Sequence, residues 1–351
     1  MNDSANLRDV KLGDWSTAIS VVVATATEES WHDGRQIVID DGVAYVGGGH
    51  NTDGLGIFDV SDPNNPSFVS LTGNTTEIGH GVAKKGDYAY VSGRTSGSIE
   101  VFDVTDPNNP GIVDSISNSD RQGSLGLTIV DDTLYCAVAG DNDPDVNDPV
   151  DGGLQAVDIS EPTNINETAF ISSGVDGSIY PERKPGTDTL LLTPYRADRF
   201  STFDISDRNN PSLNVSTSFP DLDDGRGLDV AGDTAFIADQ NGRVIAVDVS
   251  DPDNPTQISS LSDSDLNGAR ECRLSESEDE LVVAGRDSDI ATVVDVSDET
   301  NMQVSDTVSD GAFRGLYGVQ IAGQELYLTN ADWQESGNTG DFHVVQNAIG
   351  Q

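Results

Sequence analysis

Val101-Phe-Asp-Val-Thr-Asp-Pro-Asn-Asn-Pro110 decides how this chain is read. The stretch is preceded by Ile57-Phe-Asp-Val-Ser-Asp-Pro-Asn-Asn-Pro66. It returns as Val157-Asp-Ile-Ser-Glu-Pro162, Phe203-Asp-Ile-Ser-Asp207, Val247-Asp-Val-Ser-Asp-Pro252 and Val294-Asp-Val-Ser-Asp298. The shared aspartates are Asp59, Asp103, Asp158, Asp204, Asp248 and Asp295, so the period is 44 to 55 residues. A degenerate seventh copy, Asp341-Phe-His-Val-Val-Gln346, follows one period later. Short strands repeating at this interval indicate a propeller or a related array.

Each period has the same plan. In the second, Gly81-Val-Ala begins a strand, Lys85-Gly-Asp87 turns, and Tyr88-Ala-Tyr-Val-Ser92 runs back. A variable loop leads to the Val-Phe-Asp-Val strand, then to the Asp-Pro-Asn-Asn-Pro turn, and finally to Gly111-Ile-Val-Asp-Ser-Ile116. Proline fixes φ and has no N–H for a ladder, while Asn and Asp support turns through local hydrogen bonds, so the third strand stops cleanly. Four strands per period and no 3.6-residue periodicity predict four-stranded antiparallel blades. The third strands are apolar almost throughout, as in Leu55-Gly-Ile-Phe58 and Ile290-Ala-Thr-Val-Val294. Both faces of such a strand are covered, which favours blades stacked about an axis over an open sandwich.

The last repeat has only three strands, Gly318-Val-Gln-Ile321, Glu325-Leu-Tyr-Leu-Thr329 and Phe342-His-Val-Val345. An orphan apolar stretch, residues 17–24, precedes the first repeat. The expected fold is therefore an all-β, seven-bladed propeller whose last blade is completed by this N-terminal strand, in cis or between subunits. The divisions expected are an N-terminal segment at 1–30, repeats at 31–346 and a tail at 347–351.

The repeats resemble the LVIVD-repeat family of archaeal and bacterial β-propellers over roughly residues 33–346. The likeness is sharpest in the first, second and fifth repeats. It implies the fold and a cell-surface setting, and it implies no common activity.

The chain has 351 residues, 61 acidic and 18 basic, for a formal net charge of −43. The acidic residues are spread through every repeat, so the charge reads as a solvated surface that salt would screen. The composition resembles that of a halophilic archaeal protein. A polyanionic surface argues against nucleic acid as a partner. No apolar run is long enough for a transmembrane helix. Cys136 and Cys272 read as buried strand residues. An extracellular or cell-surface location is expected, with the cytoplasm as the alternative.

The repeated aspartate reads as a turn-fixing acceptor rather than as a ring of reactive carboxylates. Standard catalytic fingerprints are absent from the sequence. One position near the start of each first strand holds Arg35, His80, Leu125, Tyr180, Arg226, Arg270 and Tyr317. A second, after the second strand, holds Arg94, Arg196 and Arg286. Antiparallel pairing puts both at the same end of a blade. Six arginines thus face one channel mouth. They either stitch blades through nearby Asp or bind an anionic ligand or acidic partner, with Tyr180, Tyr195 and Tyr317 as walls. His32, His50 and His80 offer a further metal possibility. Asp141, Asp143, Asp145, Asp148 and Asp151, in an inserted loop of the third repeat, have the chemistry of Ca²⁺ ligands. Asn74, Asn166 and Asn214 stand in Asn-x-Ser/Thr triplets, potential glycan acceptors.

The function expected is non-enzymatic binding or assembly. Its partner would be a protein or a surface polymer, with self-association into a homo-oligomer or filament by strand exchange. The alternative is a hydrolase or lyase acting on an anionic substrate at the arginine-lined mouth.

Overall fold

The computed structural model describes residues 20–28, 31, 34–48, 54–72, 79–140, 152–172, 175, 178–194, 198–331 and 340–347. Among the described residues, twenty-eight strands, β1 to β28 in chain order, form seven four-stranded antiparallel sheets. Blade 1 spans residues 34–72, blade 2 79–117, blade 3 124–171, blade 4 178–218, blade 5 225–267 and blade 6 269–309. Blade 7 takes its first three strands from residues 316–347; its outer strand is β1, Ser20–Glu28. β1 pairs antiparallel with β28, Gly340–Asn347, from Ser20 opposite Asn347 to Glu28 opposite Gly340. This strand runs later than the 17–24 expected, and residues 17–19 lie outside the described residues.

The innermost strands are β2 (Gly34–Asp40), β6 (Gly79–Lys85), β10 (Ser124–Val130), β14 (Ser178–Arg183), β18 (Gly225–Ala231), β22 (Ala269–Leu274) and β26 (Leu316–Ala322). Each packs against the next, and β26 packs back against β2, so the ring is closed. Between blades the core is apolar. Phe58 of blade 1 stacks on Phe342 of blade 7 with ring centroids 4.7 Å apart and meets Trp31 edge-on at 5.1 Å. Third-strand residues such as Leu55, Ile57, Phe58, Val293 and Val294 are fully buried, as a strand covered on both faces requires.

The repeated aspartates are turn fixers. Oδ1 of Asp59, Asp158, Asp204, Asp248 and Asp295 accepts the backbone N–H two residues on at 2.8–3.0 Å. Asp103 does the same with Thr105. These hydrogen bonds hold the carboxyls of Asp59, Asp103, Asp158, Asp204 and Asp248 below the usual carboxylate range. The following aspartate repeats the device one turn later, with Asp62 accepting from Asn64 and Asp106 from Asn108, both at 3.1 Å.

Candidate functional site: the channel and its cationic ring

Every first strand carries a bulge just after it begins. Gly34 pairs with Gly48 but Ile37 with Val46, and the same shift recurs in all seven blades. The residues inside the bulge are thus freed from the ladder and turned towards the axis. Taking the strand's initial residue as position 1, position 2 holds Arg35, His80 and Leu125 in blades 1–3. In blades 4–7 it holds Ile179, Arg226, Arg270 and Tyr317. By this register Tyr180 is not the equivalent of His80; Ile179 is. The hairpins after β14 and β22 are longer than the other five, with Thr189 six residues after Arg183 and Glu280 six after Leu274; Arg270 keeps the register in blade 6, whereas Tyr180 lies one residue past it in blade 4.

The position-2 ring is buried: Arg35, His80, Arg226, Arg270 and Tyr317 are each at most 5% exposed. His80 Nε2 lies 3.1 Å from the Tyr317 hydroxyl. The guanidinium carbons of Arg35 and Arg270 lie 5.3 and 5.8 Å from the centre of the Tyr317 ring, within cation–π range. Gln240 Oε1 accepts from Arg226 at 2.5 Å and from Arg270 at 2.7 Å, holding the two guanidinium groups side by side. Asp224 pairs with Arg226 at 2.8 Å.

Burial and the neighbouring charges act on His80, Arg270 and Tyr180. Burial, and then Arg35, Arg94 and Arg226, press the His80 pKa well below its ordinary value, so the imidazole is neutral at pH 7. Burial, followed by repulsion from Arg226, lowers Arg270 to about 10. Burial raises the Tyr180 hydroxyl well above the phenol range.

Of the outer residues expected at this mouth, Arg94 is buried and its charge reaches His80. Arg286 is partly exposed beside Asp287 at 3.7 Å, and its charge reaches Arg270. Arg196 and Tyr195 lie outside the described residues, as do His32, His50, Asn74 and Asp141, Asp143, Asp145, Asp148 and Asp151. Among the described residues no three His, Cys, Asp or Glu side chains are grouped to hold a metal. Asn166 is exposed and Asn214 half-buried, on outer strands of blades 4 and 3 respectively for Asn214 and Asn166. His343 sits in blade 7, bonded to Thr25 at 2.9 Å, away from the ring.

Sequence reading missed the next layer. Position 3 is glycine in four blades: Gly81, Gly126, Gly227 and Gly318. A Cβ at any of these would lie 1.8–2.6 Å from a carbonyl oxygen of the neighbouring inner strand. The other three blades place Gln36, Tyr180 and Glu271 there. Gln36 Oε1 accepts the N–H groups of Val82 and Leu127, both at 3.2 Å, and its Nε2 donates to Leu127 O at 3.1 Å. Glu271 Oε2 accepts the Val319 N–H at 3.0 Å, and its Oε1 takes Arg273 Nη2 at 2.5 Å. These side chains accept from inner-strand N–H groups of Val82, Leu127 and Val319, the residues at which each ladder resumes after its bulge. The recurrence of glycine at this position, broken in three repeats, was the available signal.

Beyond this layer, towards the hairpins joining first and second strands, lies a cavity of about 370 Å³. One side is lined by Val38, Ala83 and Thr128, the other by Glu182, Asp229, Arg273 and Gln320. Burial drives Glu271, at the boundary, up to about 7 despite Arg273 beside it. The inter-blade ion pairs Lys84–Asp40, Lys85–Asp132, Lys184–Asp233 and Arg208–Asp131 involve residues of these hairpins, at the end opposite the arginine ring.

Comparison with known proteins accords with this architecture. The LVIVD repeat model matches residues 33–72, 79–117, 149–170 and 224–263. No curated protein matches the chain. Among solved structures, the β-propeller domain of Cps50 (Swd1) from Myceliophteria thermophila is 11% identical, with a TM-score of 0.68, over 93% of this chain and 99% of that one. The WD40 propeller domain of Doa1 is 12% identical, with a TM-score of 0.66, over 95% and 98%. A Bacteroides fragilis protein assigned by name only as a 6-phosphogluconolactonase is 14% identical, with a TM-score of 0.67, over 86% and 94%. At these identities the likeness is one of fold.

Proposed function

From a seven-bladed propeller carrying LVIVD repeats, we propose a non-enzymatic binding protein that takes an anionic ligand, or an acidic segment of a partner, at the arginine-lined end of its channel. The observation that carries this is the convergence of Arg35, Arg226 and Arg270 on one buried ring, in a chain with only 18 basic residues. Burying three guanidinium groups together is costly unless anions offset them. The planar fork of arginine suits carboxylate and phosphate oxygens. The acidic exterior repels anions in general, so the ring is a local exception to the field of the molecule. WD40 propellers are commonly interaction scaffolds, which fits a binding role. The same proposal places the protein in a salt-rich extracellular or cell-surface setting, where the exterior charge is screened.

Titration calorimetry with a panel of small anions and a glutamate-rich peptide tests this. The reading expects saturable binding to the intact chain and at least a ten-fold loss in Arg226→Gln. Heats no greater than dilution for every anion and for the peptide would contradict it.

A further inference from the structure

We propose that the ring selects a tetrahedral dianion of the phosphate or sulfate type over a carboxylate. The inference rests on the anion-binding reading above and narrows its ligand.

The first argument is direction. The polar groups of the site arrive from around the axis: Arg35 from blade 1, His80 from blade 2, Tyr180 from blade 4, Arg226 from blade 5 and Arg270 from blade 6. A carboxylate accepts in one plane, whereas a tetrahedral oxyanion presents oxygens to all sides. The second argument is donor inventory. His80 Nδ1 and the Tyr180 hydroxyl are buried polar atoms without a hydrogen-bond partner, in residues 1% and 4% exposed. The two rings are 6.2 Å apart. We assign the donor role in the 3.1 Å contact to the Tyr317 hydroxyl, which puts the imidazole proton on Nδ1 and makes that atom a donor. Buried donors without acceptors call for an acceptor-only ligand. The third is charge. Gln240 draws Arg226 and Arg270 together with a neutral oxygen, and Asp224 answers Arg226. A doubly charged ion offsets the repulsion in this group more fully than a single carboxylate does.

Proton linkage follows. His80 is faced by Arg35, Arg94 and Arg226 and by the neutral hydroxyls of Tyr180 and Tyr317. A seated dianion counters the three cations, so His80 takes up a proton as the ligand binds. Sulfate isolates this effect because its own charge is constant across the range in which histidine titrates.

The test is calorimetric titration of the intact chain with inorganic sulfate, methyl phosphate and acetate. Sulfate is expected to bind at least ten-fold more tightly than acetate, and more tightly at about pH 5 than at about pH 7. Methyl phosphate binding would assign ester groups of larger molecules as ligands; sulfate binding without it would assign the free ion. His80→Gln, with folding checked by thermal melting, is expected to weaken sulfate binding and to abolish its pH dependence. Acetate binding as tight as sulfate would overturn the tetrahedral assignment while leaving an anion site in place. Absence of binding by all three would overturn this inference, and the anion-binding reading falls with it only when the glutamate-rich peptide also fails to bind. Unchanged sulfate affinity in Arg270→Gln would put the ion elsewhere and overturn this inference alone.

Discussion

The hydroxyl of Tyr317 in blade 7 meets Nε2 of His80 in blade 2 at 3.1 Å, passing over blade 1 within the channel. Both residues are buried, so neither atom has bulk water to fall back on. Tyr317→Phe keeps the ring that Arg35 and Arg270 approach and removes only the hydroxyl. The expected cost is about 1–3 kcal/mol, the range for a buried polar atom left unsatisfied. Chemical denaturation checks it, and an unshifted midpoint would mean that the contact contributes nothing.

Glu271 makes stability depend on pH. Its carboxyl is raised from 4.5 to about 7, first by burial and then by Asp229, against the pull of Arg273 and the Val319 N–H. Between those values the folded chain holds a proton that the unfolded chain has released. This contribution is therefore complete below about 4.5 and is lost as pH rises through about 7. The change is on the order of 3 kcal/mol. Glu271→Gln keeps an acceptor for Val319 and should flatten that part of the stability–pH curve. An identical slope in the variant would remove Glu271 as its source.

Gly318 has no room for a side chain. A Cβ there would stand 1.8 Å from the Arg35 carbonyl oxygen, which belongs to rigid backbone in the next blade. Gly318→Ala should destabilise by roughly 1–3 kcal/mol, as overpacking does. Gly86→Ala is a poor control because φ is +55° there, whereas Gly111→Ala meets open space and should be nearly silent. Equal melting temperatures for Gly318→Ala and Gly111→Ala would refute the close-approach account.

The exterior charge sets the response to salt. At a formal −43, carboxylates repel one another across a surface with few cations to answer them. Melting temperature should climb as sodium chloride is raised from about 0.01 to 1 M, over which the screening length falls from about 30 to 3 Å. A flat profile would show that self-repulsion is not what limits stability.

Much of the fold was legible because the Asp-x-Ser/Thr-Asp turn is a local device with a local cause. Asp248 accepting the Ser250 N–H needs only neighbouring residues, so it leaves a mark in six of the seven repeats. The ring was legible for a related reason, since Arg35, Arg226 and Arg270 fall at one register position. What stayed hidden depends on contacts between repeats. Nothing local to Gln36 indicates that its amide reaches Val82 and Leu127 in the next two blades. Tyr180 was placed one residue out of register in a blade whose first hairpin is long, while Arg270, before an equally long hairpin, was not; spacing from a turn of variable length does not fix the register. The division of work among the cations was equally hidden. Arg208 pairs with Asp131 at 2.9 Å and Lys184 with Asp233 at 2.6 Å, and both contacts cross between blades.

The most direct test is anomalous diffraction from crystals of the intact chain soaked in selenate, a heavy analogue of sulfate. The account predicts one strong selenium peak inside the position-2 ring, within hydrogen-bonding reach of Arg226 and Arg270. Peaks confined to the outer surface, with the ring empty at saturating selenate, would contradict it.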